Sequence, residues 1–258
     1  MKTWAISKPE PEPVVVSCPE HEAMDSLCVK LSGQGYVLLA APELESLLTA
    51  DDACSLSGWA DFQDSWHRLE QDRYMADGGS YRFRRHAVYR VRAANGIERQ
   101  AHQPHYQSRA YNGLNGGILR HFAPIEPVIA ESEVMAAMLQ LCWRVFSRLQ
   151  PLADWHVEVH QFRIVASQTQ AMPTPEGLHR DGVSYVFMVL VDRIHVLDGS
   201  SGIYDLQQQE LMRYTLSTPL EAAIVDDERV MHAVTPILAT DAAKPAYRDM
   251  LVITFGRV

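Results

Sequence analysis

The sequence predicts an α+β fold that is mainly β, in which helices buttress a β-sandwich or barrel. After Pro151, short runs of β-branched and aromatic residues alternate with turn residues, as in all-β cores. Before Pro151, apolar residues recur at helical spacing in several segments. Because no internal repeat or linker divides the chain, we expect one domain over residues 1–258, with a flexible Pro/Glu-rich lead-in at residues 1–12.

Helical patterns occur before Pro151 at residues 19–31, 42–73 and 127–149. Gly33 and Gly35 end the first helix, and the apolar run at residues 36–41 then predicts a buried strand. The third helix is the clearest, because an apolar stripe runs from Val134 to Leu149. We expect this central helix to pack across a sheet.

Strand patterns begin at Tyr81, where large and charged residues alternate up to Arg92. Asn95-Gly96 then predicts a hairpin turn, and residues 112–117, rich in Asn and Gly, predict a loop. Further strands are predicted at residues 156–166, 183–191, 202–207, 211–216, 222–225 and 250–255.

Composition narrows the function classes. The formal charge of −9 argues against a nucleic-acid or anionic-membrane partner, since both need concentrated positive charge. The four cysteines are too sparse for a disulfide scaffold, and no apolar run is long enough to span a membrane. The first residues lack the apolar core of a secretory signal. We therefore expect a soluble cytoplasmic protein; the oligomeric state stays open, with a homodimer as one alternative.

Two of the eleven histidines have neighbours that suggest a metal site. If the segment around His179 is extended, His179 and Asp181 point to the same face. A third ligand must come from a neighbouring strand, and His232 is the best candidate. Two histidines and one carboxylate leave metal positions open for co-substrate and dioxygen, which is the ligand set of non-haem Fe(II) oxygenases. Such a His-x-Asp pair also arises by chance in a histidine-rich chain.

Arg248 enters an apolar strand near the end of the chain. Burying an arginine is costly unless it meets an anion, and its planar guanidinium suits a carboxylate. One interpretation is a salt bridge at a strand edge. The other is an anchor for the distal carboxylate of 2-oxoglutarate.

These motifs together resemble those of the bacterial 2-oxoglutarate/Fe(II) dioxygenases, and most closely the L-isoleucine 4-hydroxylase branch, which acts on free amino acids. The resemblance runs from about residue 80 to the end. It is carried by His179-Arg180-Asp181-Gly182, His232-Ala-Val-Thr-Pro, Tyr247-Arg248-Asp249 and residues 81–85, 111–117 and 160–163.

The resemblance implies a double-stranded β-helix core, a jelly roll of the cupin type. It also implies Fe(II) ligands at His179, Asp181 and His232, with Arg248 as the 2-oxoglutarate anchor and dioxygen as oxidant. The gap between His232 and Arg248 is longer than in many members of the superfamily. Arg257 is therefore the alternative anchor.

The implied reaction is hydroxylation of an unactivated C–H bond of a free L-amino acid, with release of succinate and carbon dioxide. An aliphatic substrate resembling isoleucine, leucine or methionine is expected. Candidates for the substrate carboxylate are Arg82, Arg84, Arg85 and Arg163. Candidates for its ammonium group are Glu158, Glu176 and Asp192, and Tyr111 is a candidate lid residue.

Alternative functions remain at this stage. The same iron site could desaturate or otherwise oxidise another small molecule, although Asp181 disfavours halogenation. The protein could also be a non-catalytic, cupin-like metal-binding protein. A zinc or manganese hydrolase lacks support, because the chain has no HExxH motif or second carboxylate cluster. His156 and His160, four residues apart on one predicted strand, could form a second metal site.

Overall fold

A computed structural model of the protein describes residues 19–50, 55–92, 96–167 and 169–258. The expected lead-in at residues 1–12 and Asn95 of the predicted hairpin turn lie outside these ranges. Within them, no helix is long and apolar enough to cross a membrane.

Five α-helices and fifteen strands follow one another along the described residues. The first part contains α1 (Pro19–Gln34), β1 (Tyr36–Leu39), α2 (Ala41–Thr49), α3 (Trp59–Asp64), a 3₁₀ turn (Ser65–Arg68) and β2 (Glu70–Gln71). The middle contains β3 (Arg82–Arg92), β4 (Gly96–Arg99), β5 (His105–Tyr106), β6 (Leu119–Arg120), α4 (Pro127–Ala130) and α5 (Glu133–Leu149). The last part contains β7 (Trp155–Val165), β8 (Tyr185–Ile194), β9 (Val196–Asp198), β10 (Ser201–Asp205), β11 (Glu210–Tyr214), β12 (Ala222–Asp226), β13 (Val230–Val234), β14 (Ile237–Ala239) and β15 (Tyr247–Arg257).

A large and a small antiparallel sheet pack face to face. The large sheet has the order β1-β12-β8-β15-β7-β3-β2, with β4 paired to β3. The small sheet has the order β11-β10-β13. Ile203 and Val230 of the small sheet share a buried cluster with Val186 and Val225 of the large sheet. The inner face of the large sheet therefore packs against the small sheet.

The outer face of the large sheet is covered by helices. Apolar residues of α1, α2, α3 and α5 belong to one buried cluster with side chains from β3, β7, β8, β12 and β15. In this cluster, Phe146 of α5 stacks on Tyr185 of β8 with ring centroids 4.4 Å apart and contacts Phe255 of β15 at 4.9 Å. The apolar stripe of α5 is thus the surface that packs on the sheet.

Two predicted helices differ from the structure. The helix predicted at residues 127–149 is two helices, because the Ser132 hydroxyl caps α5 by accepting a hydrogen bond from the Met135 amide at 3.2 Å. The helix predicted at residues 42–73 is interrupted and ends at Arg68. Its last part is wrong, because Glu70 and Gln71 pair with β3 at the edge of the large sheet.

Candidate active site

His179 and His232 face each other between the two sheets. The His179 amide donates to the His232 carbonyl at 3.1 Å, and the His232 amide donates back at 3.0 Å. This single bridge holds the two rings 4.5 Å apart. Asp181 follows in irregular backbone just before a bend at residues 182–184, with Oδ1 3.8 Å from His179 Nε2 and Oδ2 3.6 Å from His232 Nε2. The structure thus brings together the three predicted ligands, each with one ligand atom within 4.8 Å of the others.

The donor atoms suit a divalent transition metal. The ring nitrogen Nδ1 of His179 lies 2.9 Å from the Gly177 carbonyl, so it carries the proton and leaves Nε2 free on the side of Asp181. Burial, reinforced by His179, lowers the pKa of His232 to about 3, which keeps that imidazole neutral. Two imidazole nitrogens and one carboxylate fit Fe(II) and leave other positions of the metal open.

Asp227 holds the backbone that carries Asp181. This carboxylate is fully buried in the turn between β12 and β13. Its Oδ1 accepts a hydrogen bond from the Asp181 amide at 2.9 Å, and its Oδ2 accepts from the amides of Gly182 and Val183 at 2.8 and 3.1 Å. The Arg180 side chain donates a hydrogen bond to the backbone carbonyl of Asp227. Asp227 therefore positions a metal-site residue through the main chain.

Asp227→Asn is expected to weaken Fe(II) binding by about 10- to 100-fold, the usual cost of losing a residue that orients a ligand. An amide group would place N–H donors against amides that need an acceptor. Iron affinity and the thermal midpoint of each variant would be measured. Glu228→Gln changes the neighbouring, exposed carboxylate and serves as the matched control. Unchanged iron affinity in Asp227→Asn would contradict this role.

The loop that follows β5 also contacts Asp181. The Gln107 side-chain amide donates to the Asp181 carbonyl at 3.0 Å and to its Oδ1 at 3.3 Å. Gln107 Oε1 in turn accepts from Asn112 at 3.1 Å and from Arg120 at 3.3 Å. The Tyr111 ring packs on Gly182, where an added Cβ would lie only 2.4 Å from it. Tyr111 therefore lies at the predicted site, next to Asp181.

Arg248 and the three metal-site residues line one inner cavity of about 130 Å³. Arg248 is 4% exposed, and its Nε has no hydrogen-bond partner within the described ranges. Burial and the nearby Arg193 lower the pKa of Arg248 to about 10, so the guanidinium stays charged at neutral pH. A buried guanidinium that faces a cavity is a site for an anion. Arg257, the alternative anchor, is exposed at the far end of β15 and does not line this cavity.

An outer cavity of about 410 Å³ adjoins the inner one along Arg82, Phe162, Glu176, Asp181 and Val252, which line both. It is also lined by Arg84, Tyr111 and Glu158 among the predicted substrate contacts. Five of the predicted contacts therefore lie around one cavity beside the metal-site residues.

Three other predicted substrate contacts are corrected, because they lie on the outer face of the large sheet. Arg163 makes a two-pronged ion pair with Asp249 at 2.6 and 2.7 Å and lines neither cavity. Asp192 is the cross-strand partner of Asp249 and so shares its face. Arg85 donates to the Pro124 carbonyl at 2.7 Å and lines neither cavity.

Sequence reasoning missed Asp227, Gln107 and Arg120. Asp227 lies within Asp226-Asp227-Glu228, an acidic turn five residues before His232, and that proximity is the one signal that could have drawn attention to it. Gln107 and Arg120 lie in or beside two-residue strands, where no side-chain periodicity can be seen.

Several known proteins are similar to this chain in sequence and in fold. The family model described as 2OG-Fe dioxygenase matches residues 63–254. The 3(1)-hydroxy-L-isoleucine 4-dioxygenase of Pantoea ananatis is 24% identical over 235 residues, which cover 88% of this chain and 94% of that protein. The L-isoleucine-4-hydroxylase of Bacillus thuringiensis is 27% identical over 157 residues, which cover 59% of this chain and 65% of that protein.

The crystal structure of a bsmA homologue from Methylobium petroleophilum matches with a TM-score of 0.82 and 33% identity, covering 90% of this chain and 92% of that one. Oxygenases of the matched family have a double-stranded β-helix, and the two packed antiparallel sheets agree with that predicted core. Because the family model matches most of the chain, this protein belongs to the 2OG-Fe dioxygenase family, whose members use Fe(II), 2-oxoglutarate and dioxygen.

Proposed function

We propose that the protein hydroxylates an unactivated C–H bond of a free, aliphatic L-amino acid. The observation that carries the proposal is the meeting of the two cavities at Asp181. The inner cavity contains a charged arginine and the outer cavity has charged groups of both signs. A dicarboxylate co-substrate and a zwitterionic substrate would each find the charges they need. The names of the Pantoea ananatis and Bacillus thuringiensis relatives both refer to isoleucine, which supports the same substrate class.

In this proposal His179, Asp181 and His232 hold Fe(II), and Arg248 binds the distal carboxylate of 2-oxoglutarate. The iron and 2-oxoglutarate, when bound, supply the oxidising power, with succinate and carbon dioxide as by-products. The buried guanidinium of Arg248 fixes the co-substrate by a charge-assisted, two-pronged contact. The length and direction of the Arg248 side chain therefore determine which end of the co-substrate reaches His179, Asp181 and His232.

The remaining residues position the substrate and exclude water. Asp227 and Gln107 hold Asp181 from its two sides, and Tyr111 covers the turn at Gly182. Phe162 and Val252 line the boundary of the two cavities and offer an apolar surface for an aliphatic side chain. Orientation of the target carbon next to the metal is the protein's contribution to selectivity.

The proposal is tested in two steps. Anaerobic addition of Fe(II) and 2-oxoglutarate should produce a weak visible charge-transfer band. A panel of free L-amino acids is then screened in air for succinate and for a mass gain of one oxygen. A band with hydroxylated isoleucine, leucine or methionine is the expected result. Absence of succinate with every free amino acid, or turnover of peptide-bound or carrier-bound substrates alone, would refute the proposal.

A further inference from the structure

Four histidines surround the carboxylate of Glu158 in the wall of the outer cavity. His105 Nδ1 lies 2.8 Å from Glu158 Oε2, and His86 Nε2 lies 3.4 Å from Oε1. His156 and His160 approach the same carboxylate at 3.8 and 3.9 Å. The residues come from β3, β5 and β7, and His86 is fully buried. This cluster is separate from the His179, Asp181 and His232 cluster.

The cluster contains a negative carboxylate among neutral imidazoles. Burial opposes ionisation of Glu158, but contacts from His105, His156 and His86 outweigh it and hold the pKa of the carboxyl well below its usual range. Burial lowers the pKa of His105 to about 4 and also lowers the pKa of His86 and His160. His105 therefore donates its Nδ1 proton to Glu158 as a neutral ring, and the buried, neutral imidazoles do not cancel the charge of the carboxylate.

The hydrogen bonding disfavours a metal ion at this cluster. Arg84 Nη2 lies 2.7 Å from His160 Nδ1, and a guanidinium can only donate, so Nδ1 of His160 is the acceptor. The proton of the neutral ring is then on Nε2, the nitrogen that faces Glu158, and that nitrogen cannot bind a metal. The Arg84 charge next to the ring would also repel a cation of charge two. A singly charged organic cation that donates hydrogen bonds to a carboxylate needs no lone pair from the ring, and Arg84 repels it about half as strongly.

Two guanidinium groups that line the same cavity, those of Arg84 and Arg120, form no hydrogen-bonded ion pair with a carboxylate of the described residues. Arg84 and Arg120 are 4% and 2% exposed, and the Nε of each has no hydrogen-bond partner in the described part of the chain. Burial and the neighbouring Arg82 and Arg120 lower the pKa of Arg84 well below its usual value. The nearest carboxylate, Asp72, is 2.8 Å from Arg82 but 3.7 Å from Arg84. An anion in the cavity would relieve this repulsion.

The His160 ring separates the two charges. Its Nδ1 contacts Arg84, and its Nε2 faces Glu158, so the guanidinium and the carboxylate do not form an ion pair. Opposite charges that are held apart in one cavity wall can each meet the opposite end of a zwitterion. The α-ammonium and α-carboxylate groups of an amino acid, which are joined through a single carbon, have this character.

We propose that Glu158 binds the α-ammonium group of the amino-acid substrate, while Arg84 and Arg120 bind its α-carboxylate. This inference rests on the proposed function and adds the receptor for the amino-acid head group. The receptor excludes N-acylated amino acids, because acylation removes the positive charge that Glu158 needs. Arg120 also contacts Gln107, which holds Asp181, so the carboxylate end of the receptor is one side chain away from the metal site.

The test measures ligand binding to the full-length enzyme, kept anaerobic and loaded with Fe(II) and 2-oxoglutarate. It changes first the ligand and then the protein. Dissociation constants are measured by calorimetry for L-isoleucine, L-leucine and L-methionine. Each is compared with its deaminated analogue, in which hydrogen replaces the ammonium group. We expect the wild type to prefer the amino acid by at least about 30-fold, typical of a buried charge pair. In Glu158→Gln the preference should fall below about threefold, whereas Glu45→Gln on the exposed side of α2 should retain it.

Each outcome has a distinct meaning. If the wild type binds amino acid and deaminated analogue equally, the receptor is refuted whether or not Glu158→Gln folds. An unchanged preference in Glu158→Gln, with a wild-type thermal midpoint, also refutes it while leaving the proposed function intact. A second equivalent of Co(II) bound by the wild type and lost in Glu158→Gln would assign the cluster to a metal and overturn the inference. If no amino acid binds at all, but the charge-transfer band forms, the substrate class of the proposed function fails together with the receptor.

Discussion

His232→Ala is expected to lower Fe(II) affinity and 2-oxoglutarate-dependent succinate formation by more than about 100-fold, beyond the usual cost of losing a residue that only orients a ligand. Removal of this ring leaves His179 and Asp181 as a two-ligand site. The effect is measured by anaerobic iron titration, by the charge-transfer band with 2-oxoglutarate and by succinate release.

His121→Ala is the matched control, since His121 is an exposed histidine whose side chain lines neither cavity. His232 is a buried residue of β13, which pairs with β10, so loss of folding must be separated from loss of metal. The thermal midpoint of metal-free His232→Ala should stay close to that of the metal-free wild type. Iron binding and a charge-transfer band of wild-type strength in His232→Ala would exclude it as a ligand.

The proximity of His179 and Asp181 could be predicted because the two residues are close in sequence. His179 and Asp181 are two residues apart, and their spacing alone suggested a common direction. In the structure this segment forms only one bridge, between His179 and His232, and Asp181 lies just before a bend. The three predicted ligands still converge because Asp227 accepts hydrogen bonds from the amides of Asp181 and Gly182. Residue spacing gives no indication of these hydrogen bonds.

The residues that line the outer cavity were predicted less well, because the prediction depends on which face of a strand points into the cavity. Glu158 and Arg163 are an odd number of residues apart on β7, so only one of them can face the cavity. Their composition does not say which one does. Asp192 adds a second difficulty: an irregularity in the register between β15 and β8 aligns it with Asp249, on the outer face. A bulge of this kind cannot be found from alternation alone.

The fold was predictable where apolar periodicity is long. The apolar stripe at residues 134–149 and the apolar run at residues 250–255 identify the helix α5 and the buried strand β15, which are 17 and 11 residues long. Short elements such as β5 and β6 have two residues each and no period to detect. His105 and Arg120 lie on these two strands, which explains why both were missed as part of the cavity wall.

Arg248→Leu is expected to raise the KM for 2-oxoglutarate by about 30-fold or more, the usual consequence of removing one partner from a buried charge pair. The substitution keeps an apolar stem in the inner cavity but removes the guanidinium that would meet the distal carboxylate. Iron affinity in the absence of 2-oxoglutarate should stay at the wild-type value, because Arg248 offers no metal ligand. KM values and iron titrations measured on the same preparations separate these two effects.

Two further variants distinguish the anchor from a purely structural arginine. Arg248→Lys keeps the charge but loses the planar, two-pronged geometry, so it should recover part of the lost affinity for 2-oxoglutarate. Arg257→Leu removes the other arginine of β15, which lines the outer cavity only, and should leave the KM for 2-oxoglutarate within about twofold, because surface arginines contribute little. A large effect of Arg257→Leu together with an unchanged KM in Arg248→Leu would transfer the anchor to the end of the chain. That result would require 2-oxoglutarate to bind in the outer cavity, and the amino-acid receptor around Glu158 would then have no room for its ligand.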